Sequence, residues 1–161
     1  MKPIANKKFH FFIGMKNPSF DEIVKSFSWI SLVGMSGTGK SYWSGVMSFN
    51  GFKRFRCDDM IEDRLLLLLN PSTGKSTDLG DWVGFPFEPG YNKKEKIYLT
   101  LEIETRGEII AYLETPNPLE KIVIDTTGFA PYAGDEIMQR LRELTCIVHL
   151  AASDVFLFIN A

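Results

Sequence analysis

The sequence predicts an α/β domain of three layers, a short and mostly parallel sheet with helices on both faces. Three observations predict it. Short apolar strands alternate with helical periodicities along the chain, the pattern made by right-handed strand–helix–strand crossovers. Ile122-Val123-Ile124 puts three adjacent apolar residues in one strand, which requires burial on both faces. Trp29-Ile30-Ser31-Leu32-Val33 runs straight into a glycine-rich stretch, Gly34 to Gly39, and from there into a helix.

Residues 1–18 show no clear period and end on the turn signal Asn17-Pro18. Ser19-Phe20-Asp21-Glu22 reads as a capping box, the Ser19 hydroxyl accepting from the Glu22 amide while the Glu22 side chain reaches back. Phe20, Ile23, Val24 and Phe27 follow at helical spacing. Residues 1–28 therefore read as an extension carrying an amphipathic helix, ahead of a domain over 29–161. In that domain a helix from about 40 to 49 stops at Asn50-Gly51, residues 52–57 form a strand, and a helix over 58–69 stops at Asn70-Pro71. Residues 71–90 hold several prolines and glycines among Trp82, Phe85 and Phe87, an irregular stretch whose aromatics predict packing. Tyr98, Leu101, Thr105, Ile109 and Tyr112 lie on one stripe of a long helix over 92–114, ended by Pro116-Asn117-Pro118. After the strand at 122–124, a helix over 135–144 turns Ile137, Leu141 and Leu144 inward, and residues 146–151 read as a buried strand. The apolar run Val155 to Ile159 reads as core close to the last residue.

At 161 residues the chain suits one domain with a sizeable core, and 45% hydrophobic with 24% charged residues excludes wholesale disorder. A net charge of −2 argues against a nucleic-acid binder. No run approaches the length of a membrane span. The Lys2, Lys7 and Lys8 start before Phe9 to Ile13 only imitates a signal peptide, because His10 interrupts the run and no small-residue cleavage site follows. The expectation is a cytoplasmic protein, with Cys57 and Cys146 as reduced thiols.

Gly34-Met35-Ser36-Gly37-Thr38-Gly39-Lys40-Ser41 fits G-x-x-x-x-G-K-[ST], the P-loop or Walker A pattern, between a strand and a helix as that pattern requires. Gly34, Ser36, Gly37, Thr38 and Gly39 would turn successive amides around phosphate oxygens at the positive end of the following helix. Lys40 would reach the β- and γ-phosphates, and the Ser41 hydroxyl would ligate Mg²⁺. Pro71 to Ser76 imitates a second copy, but position 69 is Leu and no strand precedes it. Asp125 ends the strand Ile122-Val123-Ile124 in the Walker B manner, placing a carboxylate where the sheet opens onto a nucleotide crevice. Thr126-Thr127-Gly128 adds hydroxyls and a close-approach glycine at the same edge. Asp58 and Asp59 open a helix there too; either acid serves as an ordinary first-turn residue, or a carboxylate positions and deprotonates an acceptor hydroxyl, with Asp58 preferred. His149 suits a structural role. Arg64, Arg106, Arg140 and Arg142 supply either phosphate contacts or helix-surface ion pairs, such as Glu136 with Arg140 at i, i+4.

Val33 to Ser41, together with Phe55-Arg56-Cys57-Asp58-Asp59-Met60-Ile61-Glu62, resembles the shikimate kinase branch of small P-loop kinases. The resemblance spans roughly residues 29–151. It implies a P-loop NTPase fold with strand order 2-3-1-4, the fifth strand left open, and transfer of the γ-phosphoryl group of Mg-ATP to a small hydroxylated metabolite. It implies ATP and Mg²⁺, with Lys40, Asp58 and Asp125 catalytic and Ser41 and Asp125 at the metal. Residues 71–91 would line the acceptor side, with Trp82, Phe85 and Phe87 as its wall. Arg56 stands where the family carries its first aspartate, Asp125 to Gly128 replaces a glycine-rich substrate loop, and Lys93 and Lys94 are nearest to the expected carboxylate-binding arginine. The family's lid arginine has no counterpart, since no Lys or Arg follows Arg142. The alternative reading is an ATP-binding or ATP-hydrolysing regulatory module, or a catalytically impaired kinase-like chain with its lid absent or truncated.

Overall fold

The computed structural model describes residues 20–69, 78–115, 119–128 and 135–150. The Ser19 cap, His10, the Pro71–Ser76 imitation and the Val155–Ile159 run lie outside them.

Among the described residues ten elements follow in order: α1 (Phe20–Ser26), β1 (Trp29–Val33), α2 (Lys40–Phe49), β2 (Phe52–Arg56), α3 (Cys57–Leu69), α4 (Leu79–Val83), α5 (Tyr91–Leu113), β3 (Lys121–Asp125), α6 (Asp135–Leu144) and β4 (Cys146–His149). The described strands form one sheet of order β2-β3-β1-β4, every pairing parallel. This is the expected 2-3-1-4 arrangement. Ile30 pairs with Val123 and Leu32 with Asp125, so the Walker B aspartate ends its strand beside the start of the glycine loop.

Period-two alternation sorts the core. Ile30, Leu32 and Val123 point with Met47 and Phe52 to one face, where α2 covers them and Ile23, Val24 and Phe27 close the edge. Val33, Ile122 and Ile124 point the other way, against Ile109 and Leu113 of α5 and Met138 and Leu141 of α6. A third cluster, Ile61, Leu65, Leu79, Tyr98 and Leu101, ties α3 and α4 to α5. Burying one such aliphatic side chain contributes about 1.5–3 kcal/mol.

Several expectations need correction. Cys57 is the first residue of α3, not the last of β2. The stretch thought irregular contains the five-residue helix α4, whose Asp78 cap accepts from the Asp81 amide at 3.0 Å. Trp82 packs against the third cluster, but Phe85 and Phe87 are exposed and stack on each other, centroids 5.5 Å apart and planes 5° from parallel. β4 is half-buried rather than buried, being the sheet's edge among the described strands, and His149 is exposed. Both cysteines are free.

Candidate phosphate-binding site

The loop from Gly34 to Gly39 leaves the C-terminal end of β1 and feeds α2, whose first amides have no acceptor within the helix. Gly37 and Gly39 take positive φ of 78° and 90°, which turns the chain back on itself. Gly34 is required sterically: at φ 150° a Cβ there would run into the Leu150 carbonyl and the Thr38 hydroxyl. The Thr38 hydroxyl donates to Met35 O at 2.8 Å and closes the turn from within.

Lys40 is buried, and its Nζ donates to Gly34 O at 2.8 Å and Met35 O at 2.7 Å. The ammonium is thus held at the mouth by the loop's own carbonyls. Burial pushes its pKa down, while Asp125 and Asp58 pull it up. Ser36 and Ser41 are exposed.

Asp125 is buried and saturated on one oxygen. Its Oδ2 accepts from Ser44 Oγ at 2.9 Å and from an Arg54 guanidinium nitrogen at 2.7 Å. The same nitrogen of Arg54 donates to Ser41 O at 3.0 Å, so one guanidinium bridges the carboxylate and the first turn of α2. Gly45 faces that guanidinium; a Cβ there would sit 3.8 Å from it. Among the described residues, no hydrogen bond engages Asp125 Oδ1.

Asp58, at the start of α3, lies within electrostatic reach of both groups. Its pKa is pushed up to about 6 by loss of hydration and then by the Asp125 charge, with Lys40 opposing. Asp59 instead pairs with Arg56 at 2.5 Å on the surface, which leaves Asp58 as the acid within electrostatic reach of Lys40. Arg56, at the position of the expected metal-side aspartate, is occupied by that pair.

Behind Asp125, the Thr126 hydroxyl donates to Leu32 O at 2.7 Å. A Cβ at Gly128 would stand 3.0 Å from the Ser36 amide, so this turn presses directly on the glycine loop. Thr127 Oγ1 donates to Glu102, which also accepts from Arg106 at 2.6 Å; burial pushes the Glu102 carboxyl up against the pull of both partners. Tyr98 joins through a hydrogen bond to Thr127, and burial raises its pKa. Cys57, beside this network, is pushed up to about 12 by burial and is an inert thiol.

The structure therefore brings together the glycine loop, Lys40, Ser41, Asp125 and Asp58. It does not bring the four arginines into the site. Arg64 pairs with Glu104 and Glu108, Arg140 pairs with Glu114 and Glu143 rather than Glu136, Arg106 is buried in its pair with Glu102, and Arg142 is exposed in the last turn of α6. Lys94 lies 6.0 Å from the Trp82 ring centroid. Arg54 and Ser44 were not anticipated from the sequence. Their signals were an arginine two residues from the buried Phe52 in β2, hence on the same face, and a serine one helical turn beyond Lys40.

Oxygen donors of the Ser41 and Asp125 kind are those Mg²⁺ takes, with water completing the shell, and Asp125 Oδ1 remains for it. Among the described residues no cluster of three or more His, Cys, Asp or Glu side chains could hold a metal. None of their helices is long and apolar enough to cross a membrane.

No protein-family model matches the chain, and no curated protein does. Among solved structures, the crystal structure of shikimate kinase from Bacteroides thetaiotaomicron superposes with a TM-score of 0.53 at 22% identity, over 79% of this chain and 59% of that one. The fold is that of a shikimate-kinase-like P-loop kinase. The chain spans 59% of the length of the kinase it matches. Identity this low carries the kinase-like fold and leaves the chemistry to be argued from the side chains.

Proposed function

We propose that this chain is an ATP-binding phosphotransferase that moves the γ-phosphoryl group of Mg-ATP onto a small hydroxylated metabolite. The observation that carries the reading is the convergence of a P-loop lysine, a strand-end aspartate and a second carboxylate, Asp58, on one sheet edge. Phosphoryl transfer asks a protein chiefly for positioning and charge neutralisation. The amides of Ser36, Gly37, Thr38 and Gly39 would bind the phosphate chain, with Gly34 keeping the loop close to β4. Lys40 would exchange its two carbonyl acceptors for phosphate oxygens. Ser41 and Asp125 would hold Mg²⁺, which supplies neutralisation of the phosphate charge when bound. Asp58 would orient the acceptor hydroxyl and take its proton; a carboxylate with a pKa near 6 is a better base at neutral pH than an ordinary one. The acceptor side would be formed by residues 71–91, within a domain running over 29–161.

The test is acceptor-dependent ADP release across a panel of hydroxylated metabolites, beside Mg-ATP affinity. Stimulated release with one acceptor class supports the kinase. Tight binding with no stimulated turnover across the panel supports the ATP-binding regulatory module, and the Arg54 contact that occupies Asp125 is the observation favouring that second reading.

A further inference from the structure

Arg54 and Mg²⁺ would draw on the charge of the same carboxylate. Asp125 is buried, so its charge needs a counter-charge, and Arg54 supplies one at 2.7 Å. Arg54 belongs to β2, two strand positions from Phe52, and its guanidinium reaches Ser41 O as well as Asp125, the two residues that frame the metal position. Its Nε is buried and makes no hydrogen bond, so the guanidinium is held by Asp125 and Ser41 at one end only. Its side chain is 20% exposed, leaving a path outward when a competing cation arrives. Gly45 lies alongside, where a Cβ would stand 3.8 Å from the guanidinium, in ordinary contact.

We infer that Arg54 is a resident cation competing with Mg²⁺ for Asp125, so that nucleotide binding to this chain is weakly dependent on Mg²⁺. The inference rests on the nucleotide-binding reading above. In the metal-free state Arg54 neutralises Asp125 and removes a repulsion that would otherwise meet the incoming phosphates. A cation approaching Asp125 Oδ1 would share one carboxylate's charge with the Arg54 guanidinium on Oδ2 and meet that guanidinium's positive charge beside it, and the net benefit of adding the metal is reduced by that competition.

The experiment compares ADP affinity by calorimetry with Mg²⁺ and with EDTA, in the wild type, Arg54→Ala, Asp125→Asn and the double variant. A second readout, Mn²⁺ binding to nucleotide-free protein by electron paramagnetic resonance, uses the metal alone. Arg54→Ala is expected to increase the Mg²⁺ enhancement of ADP affinity about tenfold, as removal of a competing charge at a partly exposed site should. It should also tighten Mn²⁺ binding, and Asp125→Asn should cancel both gains. An unchanged Mg²⁺ enhancement in folded Arg54→Ala, or a gain that survives Asp125→Asn, overturns the inference. If Arg54→Ala does not fold, Arg54→Gln, which keeps an N–H donor without the charge, gives the same comparison. If the wild type binds no ADP under either condition, the nucleotide reading fails. The competition at Asp125 is then decided by Mn²⁺ alone: tighter binding in the Arg54 variant sustains it and equal binding ends it.

Discussion

Two arginine–carboxylate pairs lie at different depths in this molecule, and their contrast separates what holds the fold from what serves the site. Arg106 and Glu102 sit one helical turn apart on α5, with side chains 1% and 0% exposed. Arg54 and Asp125 are 71 residues apart on neighbouring strands, at 20% and 5% exposure. The first pair is sealed. Water cannot replace either partner, and both side chains also hydrogen-bond Thr127, which fixes the turn behind the phosphate loop. The second pair opens at the mouth, where solvent, a metal or a phosphate can take over from the arginine. The same chemistry is scaffold in one place and an exchangeable contact in the other.

The sharpest break of this comparison is Arg106→Met. Removing one partner of a sealed pair should cost about 3–5 kcal/mol in urea unfolding, because Glu102 is left charged and buried. A cost below 1 kcal/mol would mean that the depth contrast is false. Next is Lys40→Ala, expected to lower ATP turnover by about 10²–10³-fold, the usual loss of one charge-stabilising donor, while leaving the melting temperature nearly unchanged. Unaltered turnover would take the P-loop out of the mechanism. Arg54→Ala should cost about 1–2 kcal/mol, less than Arg106→Met because water reaches the orphaned Asp125. Equal losses for the two arginines would erase the distinction between them.

The smallest effect has the opposite sign. An unfolded aspartate titrates near 3.9, whereas folded Asp58 is raised to about 6. The folded state therefore binds this proton more tightly, so above pH 6 the fold carries the full cost of the ionised carboxylate. Acid relieves that cost between about pH 6 and pH 4. Asp58→Asn should raise stability at pH 7 by at most about 1 kcal/mol, since Asp58 is only partly shielded from water and solvent screens its charge. That gain is about 2–4 °C in melting temperature. Thermal scans at pH 7 and pH 4 check it, and the gain should vanish at the lower pH. Acceptor-dependent turnover of the wild type should rise through about pH 6 and be lost in the variant.

Most of the fold was legible in the sequence because it rests on short-range patterns. The boundaries of β1, α2 and α6 follow from apolar runs and the Asn50-Gly51 stop, and the glycine loop announces itself by spacing alone. The parallel sheet followed from strand–helix alternation. What was not legible depends on long-range placement. Glu102 and Arg106 were masked by a helix whose apolar stripe already accounted for its burial, and an i, i+4 charge pair ordinarily marks a wet face. Strand parity separates Arg54 from Lys53 but not from Arg56, and its partner comes from a different strand. Phe85 and Phe87 looked like core by composition, yet they follow the end of a five-residue helix too short to carry them inward. Among the paired acids, nothing local says that Asp59 takes Arg56 and leaves Asp58 to the loop.

The contact at Gly34 has one more consequence. Leu150 donates its amide to Val33 O at 2.8 Å, and its carbonyl lies where a side chain at Gly34 would be. The chain leaving β4 is therefore harnessed to the first residue of the phosphate cradle. A displacement of Leu150 would meet Gly34 through backbone atoms, with no intervening side chain to absorb it. Hydrogen exchange at the Leu150 amide would act as a gauge of that harness, slowing when the cradle is filled and quickening when it slackens.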